Sequence, residues 1–346
     1  MTERKVPDTI ILMKTLSSLD VSNKKVIVRG DLDVAMEDGQ VTEDYRLEAL
    51  VPTLNYLLEK DAAVVLIGHL GRPEGHDEDF SLAPVIDRLS ELLEREILFI
   101  NNWLDDPQAV LDKIESETVV ALENLRFDPR ELENDDDFAQ MLSQFGELFI
   151  NDSFAAHREQ ASTIAITKHM PSYAGLRFEQ EIKELTKLRE NPERPLVVLM
   201  GGGKADTKIP FVSEFGSFAD HILLGGKLMY ATELEGVKGV RFAVDAVRVD
   251  DIGPKSIELF KEYLEKANTI IWNGPVGRFE DEEYAAGTRA MAEIVAEQGA
   301  YKVIGGGDTI AALDEFGYLD KMDFVSTGGG AMFRSHIDGS KHLLTP

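Results

Sequence analysis

Short apolar runs alternate along the chain with longer segments in which apolar residues recur every three or four positions. In the first half, the apolar runs predict buried parallel strands at 25–29, 63–67, 96–100, 118–122 and 147–151. Between them, 46–59 (RLEALVPTLNYLLE) and 82–95 (LAPVIDRLSELLER) have the spacing of amphipathic helices. This repeated βαβ order predicts a parallel sheet with helices on both faces.

The second half of the chain repeats the same order. Its apolar runs and helical patterns predict strands at 195–200, 221–224, 240–244, 269–272, 301–304 and 323–325, and helices at 255–266 and 283–298. Between the halves, 173–190 is charged and strongly helix-forming, which predicts an interdomain helix. The predicted fold class is α/β, with two Rossmann-like domains, 1–172 and 191–334, each built on a parallel sheet.

Composition then limits the classes of function. The chain has 346 residues, no cysteine and a net charge of −27. A protein this acidic lacks the basic footprint that nucleic acids require, and the absence of cysteine excludes disulfides and thiolate chemistry. The N-terminus does not have the pattern of a signal peptide, and no stretch is apolar over the length of a bilayer. We therefore expect a cytoplasmic protein that binds neither nucleic acid nor membrane.

Three glycine-rich loops in the second half each follow a predicted strand. They are 201–203 with Lys204, 305–307 with Asp308 and Thr309, and 326–331 (STGGGA). Ligands of open parallel sheets bind beyond the carboxyl ends of the strands, and glycine lets backbone amides approach a phosphate closely. A single loop of this kind is also typical of a tight turn, but three in one half favour a phosphate site. None of them is a Walker P-loop.

Charged residues beside these loops suggest how a polyphosphate would be neutralised. Lys204 and Lys208 are four residues apart and would share one face of a helix; the alternative is an exposed basic helix start. Asp308 fits a Mg²⁺ that bridges carboxylate and phosphates, or else an N-cap for a helix at 309–315. In the loop 272–280 (WNGPVGRFE), Glu280 is placed to accept hydrogen bonds from ribose hydroxyls.

A basic set in the first half stands out in so acidic a chain. Its members are Arg46, His69, Arg72, Arg126, His157 and Arg158. Most of them lie just past or near predicted strand ends, in segments such as GHLGRP, ENLRF and NDSFAAHR. Arginine offers a planar fork of donors that matches carboxylate and phosphate oxygens. Singly, each is typical of a surface salt bridge. Together, at one sheet edge, they predict a site for a small polyanion.

These segments together resemble phosphoglycerate kinase. VRGDLDV, YRLEALVPT, GHLGRP, ENLRF, NDSFAAHR, GGGKADTK, WNGPVGRFE, GGGDT and STGGGA occur in that family's order from about Val26 to about Ala331. The resemblance implies an N-terminal domain for 3-phosphoglycerate, a C-terminal domain for Mg-ATP or Mg-ADP, and a hinge that closes the cleft. It implies the glycolytic phosphoryl transfer between the two substrates, a monomer, and residues 335–346 packed back on the N-terminal domain.

The resemblance also implies the site residues. The acid-substrate residues would be Asp31, Asp33, Arg46, His69, Arg72, Arg126 and Arg158. The nucleotide residues would be Gly202, Gly203, Lys204, Lys208, Gly226, Asn273, Pro275, Gly277, Glu280, Gly307, Asp308 and Thr309. Arg46, Lys208, Gly307 and Gly329 would be catalytic, and Asp308 would hold the Mg²⁺.

The chain departs from the family's pattern near both sites. The departures are Asp33 where Asn is usual, Ala35 for Pro, Gln160 for a second histidine, and Arg278 for a small apolar residue. The chain is also short, with much of the loss expected between Gly226 and Asp250. Three hypotheses follow: a divergent phosphoglycerate kinase, a kinase of the same fold acting on another small hydroxy- or phospho-acid, and a non-catalytic nucleotide- or anion-binding relative.

Overall fold

The computed structural model describes residues 15–116 and 118–329, which contain two six-stranded parallel sheets. The chain divides into two compact units, with the boundary between Ile182 and Lys183. The predicted fold class is confirmed. The finer limits 1–172 and 191–334 stay predictions, and the expected packing of 335–346 lies outside the described residues. No helix of the described residues is long and apolar enough to cross a membrane.

The first unit is built around the sheet order β5-β6-β4-β1-β7-β8, with every pairing parallel. In chain order the described elements are β1 (Lys25–Arg29), β2 (Ala35–Glu37), β3 (Gln40–Glu43), α1 (Tyr45–Leu58), β4 (Ala63–Ile67), α2 (Ala83–Leu93), β5 (Leu98–Ile100), α3 (Pro107–Ser116), β6 (Val119–Leu122), α4 (Asp136–Ser143), β7 (Leu148–Asn151), β8 (Ser172–Ala174) and α5 (Leu176–Glu190). The predicted strands and helices of this half all form. The antiparallel hairpin β2–β3, the strand β8 and the helices α3 and α4 were not predicted.

Alternate residues of β1 explain why this sheet is covered on both faces. Val26 and Val28 belong to one apolar cluster, which includes Leu47 and Leu54 of α1 and residues of α2. Ile27 belongs to the other cluster, which is completed by residues of α3 and α4. Successive side chains of a strand point to opposite faces, so a continuous apolar run is buried only when both faces are covered.

The interdomain helix predicted at 173–190 forms as α5, and its start is fixed by side chains of the first unit. Asp152 Oδ1 accepts the amides of Arg177 at 2.9 Å and Phe178 at 3.1 Å, and Thr53 Oγ1 accepts the amide of Leu176 at 3.1 Å. These bonds satisfy N–H groups that have no partner inside the helix. A Cβ on Gly175 would lie 2.1 Å from Asp152 Oδ1, so this cap requires glycine at 175.

The second unit has the sheet order β11-β10-β9-β14-β15-β16, again parallel throughout. Its described elements are β9 (Leu196–Met200), α6 (Ala205–Phe215), β10 (His221–Leu224), β11 (Val240–Phe242), β12 (Ala246–Val247), β13 (Asp251–Ile252), α7 (Pro254–Leu264), β14 (Thr269–Asn273), α8 (Ala286–Glu297), β15 (Tyr301–Gly305), α9 (Gly307–Glu315) and β16 (Phe324–Ser326). Each predicted strand forms within two residues of its expected ends. The carboxyl ends of β9, β14, β15 and β16 carry the glycine loops.

The cap of α5 gives the stability of the protein a specific dependence on pH. Burial raises the pKa of Asp152 to about 6. The folded state therefore holds this proton more tightly than the unfolded state, so Asp152 lowers stability progressively as the pH rises from about 4 to about 6.

Asp152→Asn keeps an acceptor oxygen for the two amides and does not titrate. We expect the free energy of unfolding of Asp152→Asn, relative to the wild type, to increase by about 1 kcal/mol between pH 5 and pH 7. Urea denaturation of both proteins at pH 5, 6 and 7 measures this difference in the free energy of unfolding. The titration of all other groups contributes equally to both proteins and therefore cancels in the difference. A difference that stays constant over this range would contradict the assignment.

Candidate functional site

The basic residues predicted in the first unit lie at the carboxyl edge of four adjacent strands. Asp31 and Asp33 follow β1, His69 follows β4, Arg126 follows β6 and Arg158 follows β7. Arg46 lies in the first turn of α1. Parallel strands bring their carboxyl ends to one edge, so segments that are distant in sequence become neighbours here.

His69 lies at the centre of these groups. Its side chain is only 4% exposed. Burial, together with the charges of Arg29, Arg126, Arg46 and Arg158, holds the pKa of His69 well below its usual value. An imidazole in this surrounding is neutral at pH 7 because four guanidinium groups oppose a fifth positive charge. We refer to His69 and these four arginines as the guanidinium cluster.

Arg29 was not predicted as a site residue, yet it is fully buried in this cluster. Its Nε donates to Ser162 Oγ at 3.0 Å and its Nη2 lies 2.7 Å from His69 Nδ1. Ser162 Oγ in turn donates to the buried Glu131 at 2.6 Å. Arginine cannot accept a hydrogen bond, so His69 Nδ1 must be the acceptor and Nε2 must carry the proton. The sequence indicates Arg29 only as a basic residue at the end of a predicted buried strand (KVIVR).

Asp31 and Asp33 share Arg46. Arg46 Nη1 donates to the carbonyl oxygen of Asp33 at 2.6 Å and to Asp31 Oδ1 at 3.3 Å, and it lies 3.9 Å from Asp33 Oδ2. Asp31 is 4% exposed, and its burial raises the pKa of its carboxyl group although the charge of Arg46 lowers it. The Asp31 carboxylate and the backbone carbonyl oxygen of Asp33 therefore orient Arg46. One guanidinium group does not balance the charge of both carboxylates.

Arg126 carries the clearest indication that this edge binds an anion. Its Nη1 donates to the carbonyl oxygen of Gly71 at 2.5 Å, but its buried Nε has no hydrogen-bond partner among the described residues. Burial, together with the charges of Arg29 and Arg158, lowers the pKa of Arg126 to about 10. A buried guanidinium with an unused donor is unfavourable unless an anion completes its hydrogen bonds. The cluster therefore has the chemistry of a site for a small anion.

Three further residues that the sequence analysis singled out in this half are Arg72, Gln160 and Ala35. Arg72 is exposed on the loop after Gly71. Gln160 is buried, and its backbone carbonyl oxygen accepts hydrogen bonds from amides of the turn that follows it. Ala35 is exposed and begins the hairpin strand β2, where it pairs with Glu43.

In the second unit, the glycine loops bind one another more than was expected. The amide of Gly202 donates to the carbonyl oxygen of Pro275 at 2.7 Å, and the amide of Gly226 donates to Val276 at 2.9 Å. A Cβ on Gly226 would lie 2.7 Å from the nitrogen of Gly202, and both glycines have positive φ. The Gly202 amide already has this carbonyl partner, and the assignment of Gly202 to the nucleotide site stays a prediction. Gly203 is exposed beside it and has no such bond within the described residues.

Thr309 and Asn273 join the loop after β14 to the loop after β15. The amide of Gly274 donates to Thr309 Oγ1 at 2.6 Å, and Thr309 Oγ1 donates to the carbonyl oxygen of Gly305 at 3.1 Å. Asn273 lies against Gly306, and its buried Nδ2 has no acceptor among the described residues. A buried amide donor without an acceptor indicates a ligand oxygen at this edge.

Lys208 crosses the same loops. Its Nζ donates to the carbonyl oxygens of Gly201 at 2.7 Å and Asn273 at 3.2 Å. Burial lowers the pKa of Lys208 to about 8, although the charge of Asp308 acts to raise it. The expected pair of lysines on one helical face does not form, because Lys204 is the exposed residue that precedes α6.

Asp308 lies exposed in the first turn of α9, which begins at Gly307. The N-cap alternative for Asp308 is therefore wrong, because the cap position is occupied by Gly306. No group of three or more metal-ligating side chains occurs among the described residues. A single carboxylate nevertheless fits Mg²⁺, which in nucleotide sites is held by one or two carboxylates, water and the phosphates themselves. Gly329 approaches Gly306 from the third loop.

The remaining predicted nucleotide residues lie around the loop after β14. The amide of Gly277 donates to Thr288 Oγ1 at 3.0 Å. Glu280 is exposed, and the guanidinium of Arg278 pairs with Asp281 at 2.6 Å. Arg278 also lies over the ring of Tyr284, so these contacts account for its side chain.

A sequence profile of the phosphoglycerate kinase family matches residues 16–240 and 231–337. The chain belongs to the phosphoglycerate kinase family. The phosphoglycerate kinase of Thermosipho africanus is 37% identical over an alignment that covers 92% of this chain and 93% of the relative. That of Francisella philomiragia is 36% identical and covers 94% and 96%.

Solved phosphoglycerate kinase structures agree with these matches. The enzyme from Pyrococcus horikoshii aligns with a TM-score of 0.82 at 29% identity, and that from Coxiella burnetii with 0.77 at 31%. Each alignment covers 94% of this chain and 96% of the other. The resemblance found in the sequence is thereby confirmed, and with it the enzyme class, a phosphotransferase. Where in the chain the relatives carry their extra residues stays a prediction.

The tautomer of His69 tests the geometry of the guanidinium cluster. We expect His69 to be neutral, with its proton on Nε2, from pH 6 to pH 8, because Arg29 donates to Nδ1 and the arginines oppose protonation. Long-range ¹H–¹⁵N correlation spectra of the imidazoles measure both properties, with exposed His76 as an internal reference. A cationic His69 at pH 6, or a proton on Nδ1, would show that the cluster is not arranged in this way.

Proposed function

We propose that this protein transfers a phosphoryl group between Mg-ATP or Mg-ADP and the carboxylate of 3-phosphoglycerate. The reaction is 1,3-bisphosphoglycerate + ADP = 3-phosphoglycerate + ATP, a step of glycolysis and gluconeogenesis. Membership of the family supports the reaction type. The observation in this chain that carries the proposal is the guanidinium cluster, because the buried Nε of Arg126 has no acceptor among the described residues and the planar fork of arginine matches carboxylate and phosphate oxygens.

In this proposal the guanidinium cluster binds the acid. Arg126 supplies the unused Nε donor, and the neutral His69 donates from Nε2. Arg46 is oriented by Asp31 and by the backbone of Asp33, which leaves the rest of its fork of donors for the substrate. Arg72 and Arg158 lie on exposed loops at the same edge and would complete the phosphate contacts.

The nucleotide would lie on the glycine loops of the second unit. Asn273 Nδ2, Lys208 Nζ and the amides at the start of α9 are the donors aimed at this edge. Asp308 would hold Mg²⁺ together with the phosphates, and the bound ion would neutralise part of their charge. Lys208 would neutralise more of it, since a lysine with a pKa of about 8 is mostly protonated at pH 7 and an adjacent anion raises that pKa.

Phosphoryl transfer requires in-line positioning and charge neutralisation, with little covalent work by the protein. A carboxylate oxygen of the acid attacks the γ-phosphorus of ATP, the bond from this phosphorus to the bridging oxygen breaks, and ADP leaves with that oxygen's charge. Arg46 and Lys208 would stabilise the charge on the transferred group. Hinge closure and a cytoplasmic monomer stay predictions from the sequence.

A second candidate is a kinase of the same fold that acts on a different small hydroxy- or phospho-acid. The carboxylate of Asp33 within the guanidinium cluster favours it, because an acidic residue there changes which anion fits. The third hypothesis, a non-catalytic relative, predicts no turnover with any acid.

Turnover by purified protein tests the proposal. With Mg-ATP, we expect phosphorylation of 3-phosphoglycerate, and we expect Lys208→Ala and Arg46→Ala each to lower kcat by roughly 10²–10³-fold, as loss of a charge-stabilising donor does. Lys261→Ala, on the surface of α7, removes the same charge away from the loops and should keep wild-type kcat. A clear preference for another acid would replace the substrate, and negligible turnover by wild type and variants alike would favour the non-catalytic relative.

A further inference from the structure

Asp33 places one carboxylate oxygen inside the guanidinium cluster, and this oxygen has no hydrogen-bond partner within the part of the chain that the structure describes. Asp33 Oδ1 accepts the amide of Gly71 at 2.8 Å. Asp33 Oδ2 lies 3.9 Å from Arg46 Nη1 and 3.8 Å from His69 Nε2, both beyond hydrogen-bond distance. The side chain is 39% exposed, so Oδ2 remains open to a ligand.

The backbone holds this oxygen in position. The carbonyl oxygen of Asp33 accepts Arg46 Nη1 at 2.6 Å, and the amide of Gly71 fixes Oδ1 from the other side. Rotation of the carboxylate away from the site would break the bond to Gly71. The orientation of Oδ2 is therefore a property of the folded loop.

An ionised carboxylate can only accept hydrogen bonds. The ligand atom that faces Asp33 Oδ2 must therefore carry a hydrogen, because an ionised carboxylate or phosphate oxygen at this place would meet a like charge. The surrounding guanidinium groups attract any anionic ligand, whereas Asp33 Oδ2 favours those ligands that place an O–H group next to it. The cluster thus supplies affinity through charge, and Asp33 supplies selectivity through a hydrogen bond.

We propose that Asp33 is a specificity-determining residue, which selects acids that present an O–H group to Oδ2 and disfavours acids that present none. The O–H group is either the hydroxyl of a 2-hydroxy acid or the remaining proton of a singly protonated phosphate ester. This inference rests on the proposed function and defines the substrate class of the same site.

If the O–H group belongs to a singly protonated phosphate ester, binding depends on pH and on the charged groups around Asp33. The charged and titratable groups around it come from β1, α1, β4, β6 and the segment after β7, and they are Asp31, Arg29, Arg46, His69, Arg126 and Arg158. The second ionisation of a phosphate ester has a pKa of about 6, so its proton is lost between about pH 5 and pH 7. The hydroxyl group keeps its proton throughout this range.

Binding to two matched acids tests the inference. Isothermal titration calorimetry at pH 7.5 would compare 3-phosphoglycerate with 3-phosphopropionate, which lacks only the hydroxyl group, on wild type and Asp33→Asn. Asp33→Asn keeps an acceptor for Gly71 and replaces the charged oxygen by an amide donor. If the hydroxyl is the donor, the wild type binds the hydroxy acid roughly 10- to 100-fold more tightly, as a hydrogen bond to a charged acceptor implies. Asp33→Asn then loses most of this preference.

A titration of affinity from pH 5.5 to pH 8 distinguishes the other source. If the phosphate proton is the donor, wild-type affinity for both acids falls as the pH rises through about 6, and that of Asp33→Asn does not. Glu37→Gln is the charge-matched control, because Glu37 is exposed on the hairpin just after Asp33. It should keep the wild-type preference and the wild-type pH profile.

Equal acid preference and equal pH profiles in wild type and Asp33→Asn, with both proteins binding 3-phosphoglycerate, would overturn this inference and leave the proposed function intact. Binding of neither acid to either protein would overturn the proposed function and this inference together.

Discussion

The contact of Arg29 with His69 is the interaction on which the acid site depends. A fully buried guanidinium is costly to desolvate, and here the cost is offset by hydrogen bonds to Ser162, to a backbone carbonyl and to His69, with Glu131 one step further away. Burial and the charge of Arg29 keep His69 neutral, and the hydrogen bond from Arg29 to Nδ1 leaves the imidazole proton on Nε2. Arg126 and Arg46 then add positive charge, which the carboxylates of Asp31 and Asp33 offset only in part, so an anionic ligand completes the site.

The nucleotide edge follows a different principle. Its glycines serve mainly to let three loops approach one another, as the Cβ clash between Gly226 and the backbone of Gly202 indicates. The amides of Gly201, Gly202, Gly226 and Gly274 are used between the loops. Among the described residues, the donors available to a ligand include Asn273 Nδ2, the ammonium group of Lys208, the amide of Gly203 and the first turn of α9. Loops that are hydrogen-bonded to one another hold these donors in fixed positions, which favours a ligand whose acceptors match that geometry.

Much of the fold could be predicted from the sequence, because buried parallel strands are continuous apolar runs and need no tertiary information to be found. α4 was missed because its short segment (DDFAQMLS) begins with acids, and only its cap by Asp135 and the packing of Phe138 define it. The site residues at strand ends could be proposed from motif and position. Arg29 could not, because burial of a guanidinium depends on Ser162 and Glu131, which are more than 100 residues away in the sequence. The use of the Gly202 amide was likewise a tertiary property.

A crystal structure of the protein with 3-phosphoglycerate tests the central claim most directly. The account predicts the ligand at the carboxyl edge of β6, β4, β1 and β7, with its oxygens within hydrogen-bond distance of Arg126 Nε and His69 Nε2. A ligand bound elsewhere on the protein, with Arg126 Nε still unpaired, would contradict it.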